Sequence, residues 1–465
     1  MSDGTAALAT ERLAGGFQGE LLRSGDVGYD EARTVWNGMF DCSPAVIARC
    51  AGVDDVVAAV KFAREHGLLV AVRGGGHSAV GYGTCDDGLV IDLSPMKGIE
   101  IDPAARTVRA QAGLTWGEFD GETQEHGLAI TGGRFSTTGI AGLTLGSGSG
   151  WLERRCGLTA DNLLSAEVVT ADGEVIRASE DENSELFWGL RGGGNFGVVT
   201  EFEYRLHQIG PLIYGGMLVA PPDRGAEILR FMREYMSDAP DDLGAGVAFV
   251  SAPPEPFVPP EMHFAPITGV IICWSGDLEE GERVVAPIRE AVQPLMDMVA
   301  PMPYVALQSM LDGGGPKGTR AYFKAGFIDE LDDLAIDKLA PHGNARPGPM
   351  TQLILEPLGG AISRVDDEAT ALGRREVSWC YHALVMWMEP DAETADAHVA
   401  WARGLAADLE SETTPGVYLN YTSDVGEDKV REAYGPERYA RLVALKDRYD
   451  SSNLFRLNQN ISPSG

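Results

Sequence analysis

The chain has 465 residues, of which 69 are acidic and 37 are basic, so its formal net charge at pH 7 is −32. Nucleic acids and anionic membrane surfaces attract basic proteins. Because this chain is strongly acidic, we expect it to bind neither. The six cysteines lack metal-binding spacing and no apolar run approaches the roughly 20 residues that cross a bilayer, so we expect a cytoplasmic protein with no metal and no membrane span.

The first half of the chain is predicted to alternate short strands and helices with glycine-rich loops. Residues 53–67 have an acidic first turn, apolar residues on one face and a final Gly67, which is typical of a helix. Thr115 and Glu118 have the spacing of a capping box, which predicts a second helix. The other elements predicted here are strands at 68–72, 89–94, 107–113 and 198–206, a hairpin at 165–179 and a short helix at 182–190.

The composition changes near Pro211, after which predicted strands alternate with predicted helices. The expected helices lie around 223–237, 279–293 and 391–410. We therefore predict three segments, namely a mixed first lobe at 1–210, a sheet-and-helix lobe at 211–415, and a terminal segment at 416–465 that returns to the first lobe.

Three glycine clusters lie at 73–88, 131–151 and 191–197. The last has the Gly-x-Gly-x-x-Gly spacing of the loop that binds dinucleotides in the Rossmann fold. Here it precedes a predicted strand instead of opening a helix, so we exclude the Rossmann fold. Glycine lets the backbone approach a ligand closely, and backbone N–H groups bind pyrophosphate oxygens without any formal charge. Three clusters, with His77 inside one of them, favour a ligand site over the alternative of tight turns in a packed domain.

The segment VAVRGGGHSAVGYGTCDDGLVIDLS (70–94) resembles the flavin-attachment segment of the FAD-linked oxidases related to berberine bridge enzyme. STTGIAGLTLGSGSGW, RGGGNFGVVTEFEYRL and NLFRLNQNI are similar to other signatures of that family, so the resemblance extends over essentially the whole chain. It implies an α+β fold with a two-lobed, PCMH-type (vanillyl-alcohol-oxidase-like) FAD-binding domain formed by 1–210 and 416–465. Residues 211–415 would form a substrate domain, with an antiparallel sheet covered by helices.

The resemblance also implies how the cofactor is held. In this family a His of the attachment segment is bonded to the 8α-methyl group of FAD, and the matching residue is His77. The other positions that it assigns to FAD binding are Arg73, Gly74, Gly75, Gly76, Ser78, Gly132, Thr137, Thr138, Gly139, Gly142, Gly146, Gly148, Asn162, Gly197, Val198, Val199, Asn458 and Asn460.

A second covalent bond is a feature of many family members, made by a Cys just before the G-x-x-G of the second segment. Phe135 occupies that position here, so we predict a single attachment through His77. This places the chain near the branch of 6-hydroxynicotine oxidase and the enterocin-pathway flavoenzyme of actinomycetes. Cys156 lies later, in R-R-C-G, and is predicted to be a packed thiol; the alternative is that it reaches C6 of the flavin.

Tyr421 is the first candidate for the catalytic base, because it matches the Tyr of the family's Y-x-N-Y pattern. A free Tyr has a pKa near 10, so this role requires a lowered pKa. The alternative interpretation is a structural cross-strand aromatic. Thr138 aligns with an oxygen-pocket residue of the enterocin relative.

Two predicted strands supply the remaining catalytic candidates. Glu356 shares a strand face with Ile354, which aligns with a catalytic Glu of the enterocin relative, so Glu356 is a candidate replacement. Tyr381 alternates with Cys380 and His382, so one of these sets is expected to face the substrate. His382 is a candidate base or substrate contact, with a structural His as the alternative.

The resemblance implies an oxidase that takes a hydride from a C–H bond next to a hydroxyl or amine of a small metabolite, with a natural-product intermediate as the expected substrate. The electrons would then pass to O2 and give H2O2. The alternatives are an oxygenase that uses a flavin–oxygen adduct of the N5-oxide type, a dehydrogenase with poor oxygen reactivity and a non-catalytic flavin-binding protein. We expect a monomer or a homodimer.

Overall fold

The computed structural model describes residue 13 and residues 15–256, 258–416, 418–424 and 426–465. The described helices are α1 (Tyr29–Ala32), α2 (Val53–His66), α3 (Trp116–Gln124), α4 (Ile140–Leu145), α5 (Glu153–Cys156), α6 (Ser184–Leu190), α7 (Gly225–Ser237), α8 (Leu278–Val292), α9 (Tyr304–Gln308), α10 (Asp333–Asn344), α11 (Ala392–Asp408) and α12 (Glu427–Tyr449). The described strands are β1 (Glu20–Leu22), β2 (Val46–Arg49), β3 (Val70–Arg73), β4 (Leu89–Asp92), β5 (Ile99–Asp102), β6 (Thr107–Gln111), β7 (Leu128–Ala129), β8 (Leu163–Thr170), β9 (Val175–Ser179), β10 (Gly197–Arg205), β11 (His207–Gln208), β12 (Leu212–Ala220), β13 (Leu243–Ser251), β14 (Pro266–Trp274), β15 (Met296–Asp297), β16 (Ala300–Pro303), β17 (Arg320–Ile328), β18 (Gln352–Pro357) and β19 (Trp379–Trp387).

Two main sheets and a two-stranded sheet of β7 and β11 form the first part of the fold. The smaller has the order β1-β2-β4-β3, with β3 and β4 parallel, and the larger has the antiparallel order β5-β6-β10-β8-β9. Helix α2 ends at Gly67, whose φ of +63° is the left-handed conformation that glycine adopts without strain. Arg73 and Asp92 face each other at the carboxyl ends of β3 and β4, and the first glycine cluster leaves the sheet directly after Arg73.

The second part is an antiparallel sheet with the order β15-β12-β14-β13-β18-β19-β17, and β16 also pairs with β12. Side chains alternate between its two faces, as the pleat requires. On β19, Tyr381, Ala383 and Val385 pack against a layer formed by α7, α8, α10 and α11, while Leu384 and Met386 face the first part of the chain. The face opposite the helices therefore closes over the glycine clusters.

The end of the chain packs back on the first part. Lys446 of α12 is fully buried, and its Nζ donates to Asn195 O at 2.9 Å, to Phe455 O at 2.7 Å and to Asp450 Oδ2 at 2.7 Å. Tyr434 donates its hydroxyl hydrogen to Gly192 O at 2.9 Å. These bonds tie the terminal segment to the third glycine cluster. The segment boundaries at 210/211 and 415/416 stay predictions.

In the part of the chain that the structure describes, no helix combines the length and apolar character needed to cross a membrane. The same residues contain no group of three or more His, Cys, Asp or Glu side chains placed to hold a metal ion.

Candidate active site

The three glycine clusters, the terminal segment and the open face of the large sheet surround one cavity of about 280 Å³, which we call the main cavity. Most of the residues predicted to bind a cofactor line it. These are Arg73, Gly74, Gly75, Gly76, His77, Ser78, Thr138, Gly139, Gly142, Gly146, Gly197, Val199 and Asn458.

The first two glycine clusters touch through their backbones. A Cβ on Gly75 would lie 2.4 Å from Gly139 N, and a Cβ on Gly139 would lie 2.4 Å from Gly75 N. Gly76 has a φ of +69°, a conformation that other L residues rarely adopt. Glycine is therefore required here by the approach of one loop to another as well as by the cavity.

Six predicted cofactor residues do not line the main cavity, namely Gly132, Thr137, Gly148, Asn162, Val198 and Asn460. Thr137 contacts a lining residue instead, since its Oγ1 lies 2.8 Å from His77 Nε2. Asn162 donates to the carbonyl oxygens of Cys156 and Leu158, so it braces a turn.

The other four also have structural surroundings. A Cβ on Gly132 would meet the ring of Trp116, and a Cβ on Gly148 would meet Thr159. Val198 is fully buried in the core, and Asn460 accepts a hydrogen bond from Asn195 at 2.9 Å. The resemblance assigned these four positions to FAD binding, but in the structure protein atoms surround them outside the described lining of the main cavity.

His77 is half-buried at the wall of the main cavity. Its ring stacks on Trp36, with ring centroids 4.9 Å apart, and Phe135 lies 6.4 Å away on the same measure. Burial lowers the pKa of His77 to about 4, so the imidazole is neutral at physiological pH. A neutral imidazole keeps one nitrogen lone pair for bonding.

His382 and Tyr421 form the other end of the main cavity. Their rings stack with centroids 3.7 Å apart, and Phe323 meets His382 edge-on at 5.7 Å. His382 Nε2 is buried and has no hydrogen-bond partner among the described residues. Burial holds the pKa of His382 well below its ordinary value, and nearby Arg134 lowers it further, so the ring is uncharged.

Arg134 is the functional candidate that the sequence interpretation missed. Its buried guanidinium donates to Tyr421 Oη at 2.7 Å and to Ser149 Oγ at 3.0 Å. Two carboxylates flank it, with Glu356 Oε1 2.8 Å from Nε and Glu153 Oε1 3.3 Å from Nη2. The signal in the sequence was a cation inside the second glycine cluster, but Arg73 and Arg191 lie in the other two clusters, so the sequence alone did not single out Arg134.

The pKa of Tyr421 moves in the direction opposite to the one that a catalytic base requires. Burial raises it well above its ordinary value, and the Arg134 guanidinium opposes this only in part. The phenol therefore keeps its proton at neutral pH. Tyr421 lies at the site as predicted, but a resting tyrosinate is not what this environment favours.

Two catalytic candidates are misplaced by the sequence interpretation. Glu356 is fully buried behind Arg134 and does not line the main cavity; Ile354, its neighbour on the same strand face, does. Tyr381 faces the helix layer, because the pleat turns His382 toward the cavity and Tyr381 away from it. Neither Glu356 nor Tyr381 is placed to touch a substrate directly.

Comparison with known proteins identifies the family. An FAD binding domain model matches residues 44–179, and a berberine and berberine-like model matches residues 417–462. (R)-6-hydroxynicotine oxidase of Paenarthrobacter nicotinovorans is 34% identical over 470 residues, with 97% of this chain and 98% of the relative covered. The chain belongs to the berberine bridge enzyme-like family of FAD-linked oxidoreductases.

Solved structures agree with this assignment. The crystal structure of 6-hydroxy-D-nicotine oxidase from Arthrobacter nicotinovorans superposes with a TM-score of 0.85 at 31% identity, covering 96% of this chain and 98% of that one. A chitooligosaccharide oxidase, at 23% identity, has a TM-score of 0.84 over 99% of this chain and 100% of its own, which shows the shared fold. The predicted family, the α+β PCMH-type fold and the class of FAD-dependent oxidoreductase are confirmed.

The main cavity fits the FAD that the family implies. Its described lining contains Arg73 and Arg134 but no Asp or Glu, in a protein whose net charge is −32. Arg73 is paired with Asp92 at 2.9 Å, and its Nη1 is buried without a partner among the described side chains. An anionic pyrophosphate matches such a lining, since backbone amides and one free guanidinium nitrogen supply donors.

Phe135 and Cys156 occupy different environments in this family member. Phe135 lines the main cavity near His77. Cys156 is buried in an apolar cluster with Trp151 and Cys273, outside the cavity lining, and burial raises the pKa of its thiol to about 12. None of the cysteines in the described residues lines the main cavity.

Proposed function

We propose that this family member is an oxidase that holds FAD by one covalent bond from His77. It would take a hydride from a C–H bond next to a hydroxyl or amine of a small metabolite, and pass the electrons to O2 to give H2O2. The observation that carries the proposal is that one cavity joins the glycine loops and neutral His77 to the uncharged pair of His382 and Tyr421. FAD supplies the two-electron acceptor when it is bound.

His77 is suited to a single attachment. Its Nε2 is within hydrogen-bonding distance of Thr137 Oγ1, and a hydrogen bond from Nε2–H to that oxygen would leave the Nδ1 lone pair free. Phe135, at the position where many relatives have Cys, offers no sulfur for a second bond. The buried thiol of Cys156 supports its interpretation as a packing residue.

The wall near His382 suits an uncharged, partly apolar substrate. Phe135, Phe323, Ile354 and Leu384 line it, and the positive charge of Arg134 is already paired with carboxylates. His382 offers a nitrogen to hydrogen-bond a hydroxyl or amine. An aromatic alcohol or a neutral amine of a natural-product pathway fits this wall better than a sugar or an acid.

Thr138 is the proposed contact for oxygen. It lies in the cavity lining directly before Gly139, at the start of α4. Ile354, which is apolar, occupies the position aligned with a catalytic Glu of the oxygenase relative, and this supports oxidase over oxygenase chemistry.

The test begins with purified wild-type protein and the His77→Ala and Cys156→Ala variants. We expect wild type and Cys156→Ala to keep one FAD mass after acid precipitation, and His77→Ala to release free FAD. A colourless wild-type pellet would contradict covalent attachment.

Substrate screening then follows flavin bleaching and peroxide release. The probes are 6-hydroxynicotine, which the relative's name suggests, benzyl alcohol and benzylamine. Stoichiometric peroxide with any probe supports the oxidase. Incorporation of ¹⁸O from labelled O2 into the product without peroxide would support the oxygenase instead, and no bleaching with an extended panel of alcohols and amines would contradict the proposed reaction.

A further inference from the structure

A short segment ahead of the FAD binding domain match at 44–179 lies between the first glycine cluster and the large sheet. Residues 35–40 (VWNGMF), which we call the bridging segment, form no regular helix or strand. On one side they contact the loop that carries His77, and on the other they contact residues 315–321, which lead into β17. The bridging segment therefore joins the attachment loop to the strand that supplies Phe323 to the main cavity.

The attachment loop is held by the bridging segment on both sides of His77. Trp36 N donates to Gly76 O at 3.0 Å, and Asn37 Nδ2 donates to Ala79 O at 2.7 Å. The indole ring of Trp36 also stacks on the His77 imidazole, with the ring centroids 4.9 Å apart and the planes 20° from parallel. These contacts fix the path of the loop and the plane of the imidazole together.

The other side of the bridging segment is anchored to the second part of the fold. Trp36 Nε1 donates to Gly315 O at 2.7 Å in a buried hydrogen bond. Asn37 exchanges two hydrogen bonds with Ala321 of β17, because its Nδ2 donates to the carbonyl oxygen at 2.9 Å and its Oδ1 accepts from the backbone N–H at 3.1 Å. The indole cannot turn away from His77 without breaking a buried bond, which is costly.

A second contact fixes the edge of the imidazole as well as its plane. His77 Nε2 lies 2.8 Å from Thr137 Oγ1, so one nitrogen faces the second glycine cluster while the ring face rests on Trp36. A ring that tilted away from the indole would lose the contact with Thr137. The stacking therefore also controls which nitrogen carries the proton, since the hydrogen bond at one nitrogen selects the tautomer.

We propose that Trp36 is a positioning residue for the covalent attachment of FAD, which holds the His77 imidazole in the orientation in which Nδ1 can bond to the 8α carbon. This inference rests on the proposed function, since it needs a bond between His77 and FAD. Because Trp36 is itself bonded to Gly315, the orientation depends on the second part of the fold being packed against the first.

The covalent step balances with the oxidant of the proposed function. His77 Nδ1 bonds to the 8α carbon, one C–H bond of the methyl group breaks and its proton leaves to solvent. The proton on Nε2 also leaves, so the imidazole ends neutral. The two electrons of the broken C–H bond reduce the flavin, and O2 then takes two electrons and two protons to give H2O2.

The first test measures covalent incorporation of FAD into the apoprotein at saturating FAD, by intact mass at timed intervals. Trp36→Leu removes both the aromatic surface and the N–H donor, so we expect the first-order rate to fall roughly 10- to 100-fold. Trp36→Phe keeps a ring against His77 but lacks the donor, so its rate should fall only about 2- to 12-fold. A wild-type rate in Trp36→Leu, or weaker FAD binding with an unchanged rate at saturation, overturns the inference.

Trp387→Leu is the matched control for the loss of a buried indole. Trp387 is also buried and its ring also packs on a histidine, His398, with centroids 5.0 Å apart, but neither residue lines the main cavity. This variant should lose stability in urea unfolding, as Trp36→Leu does, and still incorporate FAD at close to the wild-type rate. Equal slowing in the two Leu variants would mean that general loss of packing is responsible, which contradicts a positioning role.

The second test observes the imidazole without FAD. Nitrogen-15 NMR of histidine-labelled apoprotein at pH 8, with the His77 signals identified by their absence in His77→Ala, should show the single Nε2–H tautomer in wild type. We expect mixed tautomers in Trp36→Leu and a spectrum closer to wild type in Trp36→Phe. A single Nε2–H tautomer retained in Trp36→Leu contradicts the inference. If wild type forms no covalent bond, it is the proposed attachment that fails, and the spectrum still decides whether Trp36 orients His77.

Discussion

The two ends of the main cavity are built in different ways. At the glycine end the contacts come from the backbone, and Gly75 and Gly139 approach so closely that neither position has room for a Cβ. At the sheet end, side chains from separate segments converge on one buried cation, Arg134. One added Cβ at the glycine end would push the two loops apart. At the sheet end each partner of Arg134 can be replaced separately, so the two ends should respond differently to substitution.

The largest expected effect on cofactor binding lies at the glycine end. In Gly75→Ala the new Cβ would sit 2.4 Å from Gly139 N, and backbone surrounds it, so the loops must separate. We expect loss of bound flavin together with a stability decrease of about 1–3 kcal/mol or more. The measurements are the flavin-to-protein ratio and the free energy of unfolding in urea.

Gly121→Ala is the matched control, because a Cβ there meets open space in α3. This variant should keep the flavin, and its free energy of unfolding should rise by up to about 1 kcal/mol because alanine favours a helix more than glycine does. Wild-type flavin loading in Gly75→Ala would show that the loop contact is not required.

Removal of the cation at the sheet end should have the larger effect on stability. Arg134→Gln leaves Glu153 and Glu356 buried without their partner, which costs about 3–5 kcal/mol of stability. Glu356→Gln added to Arg134→Gln should restore part of this loss, since one uncompensated charge disappears. Arg109→Gln serves as the control, because it removes an exposed ion pair with Glu201. It should change the free energy of unfolding by about 1 kcal/mol or less.

A third prediction concerns Asp120, which lies under the second glycine cluster. It accepts a hydrogen bond from Gln308 at 2.9 Å, and Gln308 also donates to Gly133 O, a lining position. Burial raises the pKa of Asp120 to about 7, and the Gln308 bond opposes this only in part. Since the unfolded carboxyl has a pKa near 4, the folded protein binds the extra proton between those values.

Stability from Asp120 is therefore greatest at acidic pH and decreases as pH rises from about 4 to 7. Asp120→Asn should remove this decrease. The free energy of unfolding of the variant, relative to wild type, should therefore be higher at pH 8 than at pH 4 by at most roughly 4 kcal/mol. Urea unfolding of both proteins at pH 4 and pH 8 measures the difference. A stability difference that is independent of pH would show that Asp120 is ionised in the folded state.

Sequence reasoning succeeded where function depends on adjacent residues. The glycine clusters and the attachment segment are continuous in the chain, so their resemblance to known segments predicted both the cofactor class and the family. Helix α2 lies between its caps Gly52 and Gly67, close to the predicted range 53–67. The sheet end could not be predicted in the same way. Whether Tyr381 or His382 faces the cavity depends on which face of β19 the helices cover. Glu356 is held by an ion pair with Arg134, which lies 222 positions earlier in the chain.

The smallest effect is expected at Thr137, beside His77 at the glycine end. Thr137→Val removes the hydroxyl near His77 Nε2 while keeping the shape of the side chain, so the imidazole loses one restraint on its tautomer. A single hydrogen bond contributes about 0.5–1.5 kcal/mol, so covalent incorporation of FAD into the apoprotein should slow by roughly 2- to 12-fold. Thr137→Ser retains the hydroxyl and should incorporate FAD at close to the wild-type rate. Intact mass at timed intervals after FAD addition measures both rates, and equal slowing in the two variants would mean that the methyl group, not the hydroxyl, positions His77.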